Sequence, residues 1–262
     1  MERFGCYTTA RVTAGRIERL ERHASRLRRD ALRLGLPAPE RPAIEAVARE
    51  AVAAGLDRAD GIVRIEWSAA ASPGAPRLSA TTRPLGADPG VWRAITARTL
   101  HPGPGRRAGA KALGVPAWEA ARAEQTAAGV DEALLFDAAG RLVEGSRSNL
   151  IVVTDDGFRL TPAPGLGPVE GLGLACVVEA FGAIPESLGI ERRELARALE
   201  LVAVNVVRGA VAIVELDGRA IGDGRPGPLA RRLRALFAVG RSRTRAASER
   251  AVEARGLRFR PA

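Results

Sequence analysis

The chain has 262 residues, 46% hydrophobic and 27% charged, a globular balance with room for one large unit or two modest ones. No apolar run approaches the roughly 20 residues of a membrane-spanning helix, and the start Met1-Glu2-Arg3-Phe4 lacks a signal-peptide pattern, so a cytoplasmic protein is expected. The net charge of +10 is concentrated, because ten arginines and two glutamates from residue 229 onward carry +8 of it. That argues against a basic face spread over the fold and against nucleic acid as a partner. Residues 240–262, with Arg241, Arg243, Arg245, Arg258 and Arg260, read as a solvated or disordered basic tail, and Phe259 alone follows Phe237 as a base-stacking ring.

The chain opens with a β-branched and aromatic run over residues 6–12 that predicts a strand, then a turn at Ala14-Gly15. Leu20, Ala24, Leu27, Ala31 and Leu34 recur at helical spacing, ended by Gly35 and Pro37. A second helix through Ile44, Val47, Ala48, Ala51 and Val52 stops at Gly55. Strands over 62–68 and 77–85 flank a turn at Ala71-Ser72-Pro73-Gly74, which completes a small α+β unit over residues 1–86.

Residues 87–91 form a linker to a larger unit over 92–239, which begins with a strand over 92–100. A Pro/Gly/Arg-rich loop over 101–110 delivers Lys111, and Pro116 opens a helix running to Gly129. Strands over 132–137, 141–144 and 148–153 follow closely, the first two joined by the turn Asp137-Ala138-Ala139-Gly140. Such close succession predicts antiparallel neighbours, with a helix over 174–181 packed outside.

Lys111 is the only lysine; the other 39 basic residues are arginines. A guanidinium stays charged at any relevant pH, whereas a partly desolvated amine can lose its proton and condense with an aldehyde. The position therefore suits a Schiff-base lysine holding pyridoxal 5′-phosphate (PLP). The alternative is one surface lysine that survived compositional bias. His23 and His101 are the only histidines, and Cys6 and Cys176 are far apart, so no metal site and no Ser/His or Cys/His pair is expected. The thiols read as reduced and structural.

Several motifs occur in order: His23-Ala24-Ser25-Arg26-Leu27, Lys111, Asp131-Glu132-Ala133-Leu134-Leu135-Phe136-Asp137, Val143-Glu144-Gly145, Ser148-Asn149-Leu150, Thr161-Pro162 through Gly171, and Asn205 through Gly209 with Asp217-Gly218. Together they resemble the class IV PLP-dependent aminotransferase family. The resemblance implies an α+β, two-domain, D-amino-acid aminotransferase-like fold. In it a small N-terminal α+β domain, lacking the family's first strands here, meets a larger, mostly antiparallel β domain with helices.

It further implies a homodimer acting on a small-molecule substrate. Lys111 would be catalytic and bind the cofactor aldehyde, and Glu144 would face its ring nitrogen. Arg26 would hold its phosphate, aided by amides of Leu172, Gly173, Val206 and Val207. Thr8, Thr9 and Arg208 would bind substrate. Within the family, Gly5-Cys6-Tyr7-Thr8-Thr9-Ala10-Arg11-Val12 looks most like the 4-amino-4-deoxychorismate lyases, which release pyruvate and leave 4-aminobenzoate for folate synthesis. An aminotransferase for branched-chain or D-amino acids and a degenerate, non-catalytic member are the other readings. Leu172-Gly173-Leu174 and Val206 carry no hydroxyl for the phosphate, and Gly114-Val115 stand where the family has Asn and Tyr.

Overall fold

The computed structural model describes residues 4–69 and 75–253. The turn expected at Ala71-Ser72-Pro73-Gly74 and the distal tail with Arg258, Phe259 and Arg260 lie outside the described residues.

The first sheet is antiparallel throughout, in the order β2-β1-β3-β4. It comprises β1 (Phe4–Thr13), β2 (Arg16–Ile17), β3 (Gly61–Ala69) and β4 (Arg77–Pro84). Between β2 and β3 the chain forms α1 (Leu20–Arg33) and α2 (Arg41–Gly55). Leu20, Ala24, Leu27 and Ala31 make the buried stripe of α1, and Ile44, Ala48 and Val52 that of α2, as 3.6-residue periodicity requires. Both stripes pack on Cys6, Ala10, Val12, Val63 and Ile65 of the sheet, in a core that reaches Trp118 and Leu135 of the second sheet's layer. Both cysteines are free and buried.

The remaining elements are β5 (Val91–Thr96), α3 (Pro116–Ala127), β6 (Glu132–Phe136), β7 (Leu142–Gly145), β8 (Asn149–Val153), β9 (Arg159–Pro162), α4 (Leu172–Phe181), β10 (Glu186–Ser187), α5 (Arg192–Leu195), β11 (Glu200–Asn205), β12 (Gly209–Leu216), β13 (Arg219–Ala220) and α6 (Pro228–Glu253). The second sheet runs β10-β9-β8-β11-β12-β5-β6-β7, with β13 against β12. Five of its pairings are antiparallel, while β5 lies parallel to both β6 and β12, and β10 to β9.

Two expectations change here. The antiparallel succession holds for β6 and β7 but not for β8, which pairs with β9 and β11 at the far part of the sheet. Side chains of β8 and β11 alternate between two cores. Leu150, Val152, Leu201 and Ala203 enter one, while Ile151, Val202 and Val204 enter the other with α4 and α6 residues such as Val177 and Leu233. A strand buried on both faces belongs in the middle of a sheet. The strand expected over 92–100 ends at Thr96, because the Arg98 and Thr99 amides leave the ladder for the Glu124 carboxylate of α3, at 2.7 and 3.1 Å.

The basic tail expected from residue 240 is also revised, since α6 continues through Glu253. Its start is fixed by Glu200 of β11, whose two carboxylate oxygens accept from the amides of Leu229 and Ala230, both at 2.9 Å. Pro228 ahead of them has no amide to satisfy. A carboxylate on first-turn amides satisfies orphan donors and complements the helix dipole. Glu200→Ala is therefore expected to lower stability by about 1–2 kcal/mol. Urea unfolding with an unchanged midpoint would contradict this anchoring role.

Candidate active site

A cavity of about 730 Å³ is lined by both sheets and by the loops that carry Lys111, Gly171 and Asn205. Lys111 sits on a loop with no regular structure, yet three hydrogen bonds to its backbone and its neighbours' fix it. The Tyr7 amide donates to the Lys111 carbonyl at 3.0 Å, the Leu113 amide to the Gly5 carbonyl at 2.8 Å, and the Lys111 amide to Asp30 Oδ2 at 3.0 Å. The loop thus runs along the edge of β1, and Lys111 Nζ comes within 5.0 Å of the Tyr7 ring centre.

Asp30 is fully buried on α1 and accepts from both sides. Arg29 donates to Oδ1 from Nε and Nη2, while Arg26 Nε and the Lys111 amide share Oδ2. This pairing leaves the far side of the Arg26 guanidinium open. Arg26 is itself buried and lines the cavity, and its Nη2 has no hydrogen-bond partner among the described residues. A buried guanidinium N–H without an acceptor is costly, and an anionic group in the cavity would satisfy it.

The N-terminus of α4 lines the same cavity through Gly171, Leu172 and Gly173, with no side-chain cap on its first amides. Its backbone is packed too closely for side chains. A Cβ on Gly171 would overlap the Asn149 amide group, and one on Gly173 would stand 2.7 Å from the Asn205 carbonyl carbon and 3.0 Å from the Val206 nitrogen. The helix end and the turn after β11 are thereby brought together, forming a second anion-binding element. In that turn, Asn205 Oδ1 accepts from the amides of Val207 at 3.1 Å and Arg208 at 2.8 Å. The Val207 amide, expected to bond the cofactor, is directed to Asn205 Oδ1, and Val206 and Val207 both line the cavity. The Val207 carbonyl is gripped by Arg11 at 3.2 Å and by Arg241 of α6 at 3.4 Å. Burial first, and then Arg11, lowers the Arg241 pKa to about 10.

Across the cavity, Glu144 lies at the end of β7, buried and held on both oxygens. Trp118 Nε1 donates to Oε1 at 2.9 Å and the Val169 amide to Oε2 at 3.0 Å. The following turn is shaped by Glu132, which accepts from the hydroxyls of Ser146 and Ser148, each at 2.6 Å. Burial raises the Glu132 pKa, against those hydrogen bonds.

Thr8 and Thr9 separate. Thr8, expected to bind substrate, points away from the cavity and shares a 2.6 Å hydrogen bond with Nδ1 of the buried His23, because successive strand residues face opposite sides of a sheet. Burial lowers the His23 pKa to about 3, aided by Arg26, Arg19 and Lys111, so this histidine is neutral and structural. Thr9 lines the cavity with Arg208, and Arg64, Arg83, Arg122 and Arg147 add to its cationic wall. Sequence reasoning missed Tyr7, Trp118 and Asp30. The first has a signal: it is two residues before Thr9 and so shares its face of β1.

A two-sheet α+β fold with a lysine-bearing loop, a buried carboxylate and an anion-binding helix end around one cavity defines the class of protein. The match to the family "Amino-transferase class IV" spans residues 5–216, and the chain belongs to that family. A probable branched-chain-amino-acid aminotransferase of Aquifex aeolicus (strain VF5) is 30% identical over 121 residues, covering 45% of this chain and 39% of that protein. The chain therefore matches well under half the length of this curated relative. Among solved structures, the branched-chain aminotransferase of Thermoproteus uzoniensis with norvaline is 28% identical, with TM-score 0.72 over 90% of this chain and 84% of that one. A branched-chain amino acid aminotransferase from T.th., complexed with N-(5′-phosphopyridoxyl)-L-glutamate, is 25% identical, with TM-score 0.73 over 89% and 83%.

Two outcomes follow from this geometry. Asp30→Ala strands the buried Arg26 charge and is expected to cost about 3–5 kcal/mol, measurable by chemical unfolding. Tyr7 is the only tyrosine, so its phenolate absorbance titrates alone. Burial acts to raise its pKa, but Lys111, Arg64 and Arg122 outweigh that and lower it to about 8. With the folded value below the unfolded one, Tyr7 adds stability as pH rises from about 8 to about 10 and loses it as pH falls through 8, by roughly 2–3 kcal/mol in all. A phenolate midpoint near 10 would refute this, and Arg64→Met should move it upward.

Proposed function

We propose that this chain is a PLP-dependent aminotransferase that exchanges an amino group between an amino acid and a keto acid. The observation that carries the reading is the cavity shared by the sole lysine and by a buried guanidinium N–H that lacks an acceptor. The residues present fit the cofactor. Arg26 Nη2 and the amides of Leu172, Gly173 and Val206 would hold its phosphate, and Glu144 would hold a proton on its ring nitrogen. When bound, PLP supplies the electron sink that makes the substrate Cα–H bond breakable. Lys111 supplies the amine that attaches the cofactor. Its Nζ would accept the Cα proton of the donor amino acid and, in the second half of the exchange, deliver a proton to Cα of the acceptor keto acid. Thr9 and Arg208 bind the substrate carboxylate, and the arginine wall favours acids over amines. The relatives described as branched-chain aminotransferases support the same chemistry.

A second reading is favoured by one feature. Arg64, Arg83, Arg122, Arg147 and Arg208 on one cavity suit a substrate with two carboxylates, as in the lyase reaction on 4-amino-4-deoxychorismate, and the β1 sequence resembles those lyases. That reaction would place the chain in folate synthesis. Both readings carry a cytoplasmic homodimer in which a small unit over residues 1–86 closes on a larger one over 92–239; sedimentation of the purified protein tests the dimer.

Borohydride reduction after incubation with PLP is expected to label Lys111, and Lys111→Ala to abolish the label. Absence of an adduct at saturating PLP would support the degenerate, non-catalytic reading instead. Arg26→Met should weaken PLP binding about tenfold or more, as loss of a charge-assisted hydrogen bond implies. An amino acid added alone should bleach the enzyme-bound PLP absorbance in a transaminase. Pyruvate release from 4-amino-4-deoxychorismate without a keto acid would establish the lyase.

A further inference from the structure

We infer that His101 is a positioning residue for Glu144, a third N–H donor behind that carboxylate which fixes its orientation toward the cavity. The inference rests on the proposed PLP reading, in which Glu144 faces the ring nitrogen.

His101 is buried, its side chain 1% exposed, and it does not line the cavity. It lies behind Glu144, with Nε2 3.3 Å from Oε1. Its backbone is fixed by a 2.8 Å bond from its amide to the Phe136 carbonyl. Its tautomer is fixed as well. The Gly103 amide donates to Nδ1 at 3.0 Å, so Nδ1 carries no proton and the ring hydrogen resides on Nε2, the atom turned to Glu144. The N–H is off the line to Oε1, and Nε2 has no hydrogen-bond partner among the described residues. With Nε2 at 3.3 Å from Oε1, what the bond lacks is alignment of that N–H.

The tautomer has an electrostatic consequence. With Nδ1 accepting from Gly103, the ring turns an uncharged N–H donor toward Glu144. Trp118 Nε1, also on Oε1, and the Val169 amide on Oε2 are likewise uncharged donors. The carboxylate is thus held entirely by neutral N–H groups, which orient it without spending its charge. That is the environment a carboxylate needs if it is to keep a proton on a ring nitrogen opposite.

The test compares binding of PLP with its 1-deaza analogue, in which C–H replaces the ring nitrogen, by fluorescence titration of wild type, His101→Met and His101→Gln. Wild type should prefer PLP. His101→Met should reduce that preference about fivefold to tenfold while leaving 1-deaza affinity unchanged. His101→Gln, whose carboxamide offers an N–H in place of Nε2, should restore part of it. Equal weakening of both ligands by His101→Met would mean that His101 only packs, and an unchanged preference would also overturn the inference. If wild type binds PLP at Lys111 but shows no preference, the role of Glu144 falls and this inference with it. If wild type binds neither ligand, the PLP reading itself falls.

Discussion

Asp30 is one carboxylate with no access to water, and the site is hung from it. Its Oδ2 holds both Arg26 Nε and the amide of Lys111, and its Oδ1 holds Arg29. A buried charge this deep is tolerable only when each oxygen is satisfied by donors. The chain meets that requirement with the arm that would grip an anion and the loop that carries the amine. The loop needs such a tether because residues 101–110 are rich in Gly, Pro and Arg and make no regular structure. Arg26 and Lys111 are far apart in sequence, yet one carboxylate sets their separation.

A second constraint comes from the opposite end of the chain. Helix α6 is tied to β11 by Glu200, to the segment between the two sheets by Arg234 with Asp88 at 2.8 Å, and to the small sheet's side by Arg245 with Asp60 at 2.9 Å. Its Arg241 meets Arg11 at the carbonyl of Val207, inside the turn that walls the cavity. The arginine-rich C-terminal stretch is thus partly explained by internal structure. Its described charges clamp elements together, whereas composition alone makes them look like a solvated tail.

Much of the fold was legible because its signals are local. Stripes at helical spacing marked α1 and α2, and the motif around Glu144 marked the end of β7. What escaped depends on pairings that no spacing encodes. The placement of β8 beside β11 follows from burial on both faces, which an apolar run of four residues does not distinguish from an edge strand packed on one side. The Thr8-Thr9 pair reads as one substrate feature in sequence, but strand pleat sends the two hydroxyls to opposite faces. The hydrogen bond from the Val207 amide to the Asn205 side chain is likewise invisible to a motif written in backbone roles. Asp30 reads as one more charge on an arginine-rich helix until the loop from Lys111 folds over it.

The use of a single lysine gains its meaning from the same surroundings. Arg26, Arg64 and Arg122 line the cavity with guanidinium groups, the side chain that serves as a permanent charge. Fixed charges are what anion binding and the depression of Tyr7 require, and arginine supplies them with planar, directional donors. Moving a proton requires the opposite property. Lys111 Nζ stands 5.0 Å from the Tyr7 ring centre within that cationic wall, so the amine and the phenol meet among permanent charges. Arginines form the frame, and the amine and the phenol occupy its centre.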